Sequence, residues 1–426
     1  MGFAIRRRLA SLSSRAMLPS GAVIASIARR FIAFCRRLSR SAWGARGPLG
    51  STRPATEAFP WRRSKPTASA PSANGAIPSL DGLRAISISI VLVSHAGYGS
   101  VVAGGLGVTI FFFLSGYLIT TLLIDERERF GRINIGKFYL RRVFRLFPPL
   151  LVTLVIAYSL VSLGLLDGGI SWAGVLAQLL YFANYYGLFF DPGHTTPAGT
   201  GILWSLAVEE HFYMIYPAVL TGLLALGLSR QRIVAVLALA CLAVLAWRMY
   251  LAGLPNFQTE RTYYSSDTRV DSIVFGCLLA LAANPRFVKA GRSNPFLEPT
   301  SATLLAAAAI VIAMTIAWRD DYFRETFRYS LQGLALMPIF YFAIKCAARF
   351  PFALLNHPWA AKVGVYSYAM YLIHDIVINV TEKNVPWLAA AKALLVLVTF
   401  VIAMLYAAIL DICVDRYFRA LRKKLR

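Results

Sequence analysis

The chain has 426 residues, 58% hydrophobic and 15% charged, and its mean hydropathy of +0.59 excludes an ordinary soluble domain. A formal net charge of +24 would suit a nucleic-acid binder. That class is excluded because the Lys and Arg residues lie mostly in short connections between apolar runs and in both tails, as membrane orientation requires.

Residues 1–77 carry fourteen Lys or Arg and a single acid, Glu57, amid Ser, Ala and Pro. They are expected to be a basic, disordered cytoplasmic tail. Residues 21–44 also suit a basic amphipathic helix on an anionic membrane, and the composition shares features with organellar transit peptides. Residues 78–426 are expected to form one membrane domain. Eleven apolar segments follow residue 80. The segment 172–190 contains Gln178, Asn184 and four aromatics, Tyr181, Phe182, Tyr185 and Tyr186, and is expected to be interfacial or re-entrant. The other ten are expected to span at about 85–100, 105–124, 149–166, 202–228, 233–252, 270–283, 301–318, 329–344, 364–381 and 388–411. This count puts both termini and every strongly basic loop inside. The predicted fold class is therefore all-α, a polytopic integral membrane protein of about ten transmembrane helices. Five scattered cysteines (Cys35, Cys241, Cys277, Cys346 and Cys413) have neither metal-ligand nor disulfide spacing, so no metal is expected.

Several polar residues stand where a bilayer tolerates them poorly. Eleven positions separate Arg84 from His95, a turn of about 1100°, so the two share a helix face. The rise of roughly 16 Å is expected to bring His95 to mid-bilayer. Phe111 to Tyr117, with Ser115 and Gly116, is expected to serve packing, as are Gly104, Gly105 and Gly107. The loop from Asp125 to Pro149 holds Arg141, Arg142 and Arg145; the last two are three apart and would grip phosphate from one helical face. Trp204 and Ser205 lead into Glu209, Glu210 and His211, and the adjacent acids point about 100° apart. Glu209 is expected to approach His95 from the opposite side. Asp267, Arg269 and Asp271 at the outer end of the sixth span would hold an acceptor through its hydroxyls or form internal ion pairs. His374, followed by Asp375 in the ninth span, is not expected to face lipid.

Together these residues resemble the bacterial acyltransferase family 3, membrane O-acyltransferases that modify cell-surface glycans. The matching elements run in order: Leu80 to Arg84 with ten residues to His95, Phe112 to Gly116, Arg142-x-x-Arg145, Trp204 to Leu206 with Glu209-Glu210 and Phe212-Tyr213, Asp267 to Asp271 with Gly276, and Ser367-Tyr368 to His374. The pattern departs from the family at His211 and Ile376. The resemblance implies ten helices, a cytoplasmic acyl-CoA donor (usually acetyl-CoA) and a sugar hydroxyl acceptor, often on a glycolipid or exported glycan. It also implies a bacterial inner-membrane location, catalysis by His95 and Arg84, and donor binding by the Arg142/Arg145 element. His95 would act as general base or brief acyl carrier, with Glu209 or Glu210 orienting it. Trp204, Ser205, Asp267, Arg269, Asp271 and His374 would contact the acceptor. No hydrolase-like domain follows the last expected span, so transfer is expected to finish in the membrane or to pass to a separate periplasmic transferase. The rival reading is a secondary transporter using Arg84, His95, Glu209 and His374 as a proton or substrate pathway, though no inverted repeat is evident.

Overall fold

The computed structural model describes residues 77–191, 195–285 and 299–424. The basic tail expected over 1–77 lies outside them, apart from Ile77. Among the described residues the regular structure is helical: α1 (Leu80–Val93), continued by a π-turn over Ser94–Tyr98, α2 (Gly104–Phe130), α3 (Ile135–Ser162), α4 (Trp172–Leu179), α5 (Ala183–Phe189), α6 (Leu203–Ala225), α7 (Arg230–Ala252), α8 (Thr259–Tyr264) and α9 (Ser266–Ala282). They continue with α10 (Pro299–Ala317), α11 (Asp321–Glu325), α12 (Phe327–Lys345), α13 (Pro358–Asn384), α14 (Pro386–Ala390), α15 (Lys392–Leu410) and α16 (Arg416–Lys424). The fold is all-α and the protein is a multi-pass membrane protein.

Among the described residues, seven helical segments are long and apolar enough to cross a bilayer: those of α1, α2, α3, α7, α10, α13 and α15. The other three expected spans coincide with α6, α9 and α12. Helix α2 is central, with 78% of its most apolar window buried, against 22%, 17% and 28% for α7, α10 and α15. Those three form the perimeter and turn Leu239, Leu242, Ile310, Leu397 and Leu405 outward, as a lipid-facing surface requires.

Glycine permits close helix contacts. A Cβ added at Gly116 of α2 would lie 1.9 Å from the Ile273 carbonyl oxygen of α9, and one at Gly276 of α9 would lie 1.9 Å from that of Phe113. The backbones meet only because both positions lack side chains. Gly107 likewise admits the Ser87 carbonyl of α1, at 2.7 Å from an added Cβ.

Segment 172–190 divides into α4 and α5, of 8 and 7 residues. Each is roughly 10–12 Å long, far short of a 30 Å hydrocarbon core. Its two flanks also pair: Gly168 bridges Pro197, and the Ala198 amide donates to the Asp167 carbonyl at 2.9 Å. Both ends therefore lie together, as a non-spanning segment requires. Single cysteines at Leu165 and Phe190, 41% and 69% exposed, should both react with an impermeant thiol reagent from the same side of a sealed vesicle. Labelling from opposite sides would refute the arrangement.

The arginine element differs from expectation. It is not a loop before a span but the first half of one continuous helix, α3. Asn134 caps that helix by accepting from the Lys137 amide at 2.9 Å. Glu126, at the end of α2, holds the same corner: it accepts from the Asn134 amide and from Arg141, each at 2.9 Å.

Candidate active site

A half-enclosed cavity of about 690 Å³, counting its open mouth, lies between α1, α2, α3, α6 and α13. Arg84, Arg142 and Arg145 line it together with Ser115, Ser205, Glu209, Tyr213, Tyr368 and Tyr371. Three guanidinium groups against one carboxylate make the lining cationic and suited to a polyanion. Arg84 also bonds Asp81 at 2.6 Å, one turn back on α1.

The cavity has a direction. Arg142 stacks over the Tyr213 ring at 4.2 Å, and the Tyr213 hydroxyl donates to Glu209 at 2.8 Å. Ser205 lies eight residues before Tyr213, roughly 12 Å along α6. Its hydroxyl meets that of Tyr371 at 2.7 Å, and the Tyr371 ring packs on His374 at 5.4 Å. Arginines thus mark one end of the cavity, and Tyr371 the end that backs onto His374.

Beyond Tyr371 stands a compact cluster. His95 Nδ1 lies 3.2 Å from Asp375 Oδ1 and 3.2 Å from His374 Nε2. Arg84 shares the cavity with Ser367, Tyr368 and Tyr371, while His95 meets His374 and Asp375. Helices α1 and α13 therefore run in the same direction, and the predicted shared face of Arg84 and His95 is the one turned to α13.

His95 occupies the π-turn that ends the helix, where Gly97 adopts φ 91°, and its side chain is 35% exposed. A left-handed residue stops the helix at once, and His95 opens outward instead of being sealed in the core. The Gly199 turn presses on the Asp375 backbone, with an added Cβ only 2.7 Å from its carbonyl carbon.

The acids fall differently from expectation. The carboxylate beside His95 is Asp375, not Glu209 or Glu210. Glu209 belongs to the arginine cavity, and Glu210 diverges from it, leaving Oε1 buried without a hydrogen-bond partner among the described residues. Asp271 is committed internally, both oxygens accepting from Arg248 at 2.8 and 2.9 Å with neither side chain exposed. That pairing leaves Asp271 unavailable to an acceptor. Asp267 takes both outer nitrogens of Arg261, the Trp247 indole and the Tyr185 hydroxyl. Burial, then the nearby Asp267 charge, pushes the Tyr185 phenol above its ordinary value, so it remains a donor. Arg269 is fully buried among rings, 3.8 Å from Tyr329, 5.3 Å from Tyr263, 5.6 Å from Phe112 and 5.7 Å from Trp204. This cage also takes up Trp204, away from the histidines.

Residues not assigned to the site in the sequence also belong to its geometry, among them Ser115, Tyr213, Tyr368, Tyr371 and Asp375. The first four lie inside quoted motifs, and Asp375 left a signal as a second ionisable group beside His374 inside an apolar helix. The donor atoms of His95, His374 and Asp375 all lie within 4.8 Å of one another, a spacing that could also hold a metal ion.

An all-α membrane bundle with a cationic cavity, and an imidazole–carboxylate cluster behind its Tyr371 wall, defines the class. The chain belongs to the acyltransferase family 3: residues 77–411 match its acyltransferase domain. It is 31% identical over 313 residues to YrhL of Bacillus subtilis, a named candidate peptidoglycan O-acetyltransferase, covering 71% of this chain and 48% of that protein. It is 28% identical over 351 residues to the peptidoglycan O-acetyltransferase OatA of Listeria monocytogenes, covering 77% and 54%. A Staphylococcus aureus protein named as a candidate O-acetyltransferase, SACOL0978, is 28% identical over 312 residues, covering 71% and 51%. The matches thus span about half the length of these relatives. No solved structure matches the chain.

Proposed function

We propose that this protein is a membrane O-acyltransferase that moves an acyl group, acetyl by preference, from coenzyme A to a hydroxyl of a cell-wall or exported glycan. The observation that carries this reading is the three-arginine cavity whose wall residue Tyr371 packs on His374, which in turn lies 3.2 Å from His95. A coenzyme A thioester brings several phosphates and a reactive carbonyl at opposite ends of one extended molecule. Arg84, Arg142 and Arg145 suit the first and the histidine end suits the second. Ten spans with cytoplasmic termini, the topology proposed here from the charge pattern, would put the arginines on the side where acyl-CoA is made. His95 takes the acceptor proton as the hydroxyl oxygen attacks the thioester carbon. The carbon–sulfur bond breaks, and the coenzyme A thiolate leaves and recovers that proton. The names of the relatives favour peptidoglycan as the glycan.

The test is kinetic. Purified protein in vesicles should release coenzyme A thiol from acetyl-CoA in the presence of a glycan acceptor. Arg142→Ala with Arg145→Ala should raise the KM for acyl-CoA by ~10- to 100-fold, the worth of one or two charged hydrogen bonds, with little change in the acceptor KM. An unchanged donor KM with a raised acceptor KM would refute the assignment of the cavity.

A further inference from the structure

The hydrogen-bond geometry around His95 decides which of its nitrogens does the chemistry. Three contacts matter. His374 Nδ1 lies 2.7 Å from the Tyr371 carbonyl oxygen, which can only accept, so Nδ1 carries the proton. In the neutral ring His374 Nε2 is then a bare acceptor, and it faces His95 Nδ1 at 3.2 Å. Asp375 Oδ1, a second acceptor, faces the same His95 nitrogen at 3.2 Å. Two acceptors converging on one ring nitrogen fix a proton there.

We infer that Asp375 and His374 are positioning residues that hold His95 as its Nδ1–H tautomer, so that His95 Nε2 carries the free lone pair and is the base of the transfer. This rests on the proposed acyltransfer by His95 and names its tautomer and its supports. The two supports differ in kind. His374 is fully buried, and its orientation is set by the backbone of its own helix one turn back. Asp375 is partly exposed and brings a charge. When Nε2 receives the acceptor proton, the imidazolium that forms is met by that carboxylate through Nδ1–H. When the departing thiolate takes the proton from Nε2, the ring returns to its starting tautomer. No proton has to leave Nδ1 at any step. The role first expected of His374, contact with the acceptor, gives way to this one, because its Nε2 is directed at His95.

The arrangement differs in a checkable way from a metal site built on the same atoms. A metal would take the lone pair of His95 Nδ1 and place the proton on Nε2, the opposite tautomer.

The experiment is solid-state NMR of the full chain, with ¹⁵N-labelled histidine, in lipid vesicles. The chain has five histidines, and His95 is assigned by the signals lost in His95→Ala. The inference requires protonated Nδ1 and bare Nε2 in resting His95. It also requires Asp375→Asn to lower kcat by about 10²–10⁴-fold, because the amide can donate to Nδ1 and invert the tautomer. The acyl-CoA KM should stay constant, and Asp375→Glu should recover part of kcat. His374→Gln, which offers an acceptor oxygen, should retain more activity than His374→Leu. Protonated Nε2 with bare Nδ1, one equivalent of tightly held zinc, or wild-type kcat in Asp375→Asn would overturn it. If His95→Ala is inactive while the tautomer is the opposite one, only this inference falls. If His95→Ala transfers acyl groups at the wild-type rate, the acyltransfer reading falls as well.

Discussion

Replacing His95 by alanine should lower acyl transfer by about 10²–10⁴-fold, the usual contribution of a general base, while leaving a folded, membrane-inserted protein. The separation of the two effects follows from where the residue sits. Its side chain is 35% exposed at the last turn of α1. Its removal opens no core cavity and strips His374 and Asp375 of one shared contact each. The variant should elute as a single species on size exclusion in detergent, with a melting temperature close to that of the parent. Transfer at the wild-type rate by such a protein would remove His95 from the mechanism.

Asp271→Ala should have the largest effect on stability, a loss of about 3–5 kcal/mol, because it leaves the Arg248 guanidinium buried without its counter-charge. Arg248 ties its own helix, α7, to α9, to α12 and to the joint between α11 and α12. It donates to Asp271 and the Thr268 carbonyl of α9, to the Thr326 carbonyl between α11 and α12, and to Ser330 of α12. Thermal unfolding in detergent reads the loss. Arg248→Met combined with Asp271→Leu should be markedly more stable than Asp271→Ala, since desolvation is then relieved on both sides. Equal melting temperatures for Asp271→Ala and wild type would show that the pair is not structurally important.

Much of this architecture is legible in the sequence because a bilayer writes strong rules. Long apolar runs mark helices, and the misfit of 172–190, polar and aromatic in an apolar chain, announces a segment that turns back. The arginine and histidine of α1 could be set on one face by counting alone. What counting could not supply was the partner. His95 and Asp375 are 280 residues apart, and nothing local says that α13 lies beside α1. Glu209 and Glu210 were the more obvious acids for His95 because they are two, yet α6 delivers one of them to the arginines. The helix end at Gly97 was also hidden, since a glycine in an apolar run reads equally as packing. Asp271 shows the reverse. Its acidic character suits either a binding role or an internal ion pair, and Arg248, the one cation within the preceding expected span, settles it as the pair.

The hydroxyl pair of Ser205 and Tyr371 also concerns permeability. In the proposed orientation the arginine cavity would open to one face of the membrane and His95 to the other. The Tyr371 phenol, held by Ser205 and by the Ile202 carbonyl at 3.2 Å, stands on the cavity wall with the buried His374 ring behind it. A small side chain at position 371 would join water from the two faces and turn a transferase into a leak. The first sign of that lesion in a cell would be a falling proton-motive force, before any change in its wall.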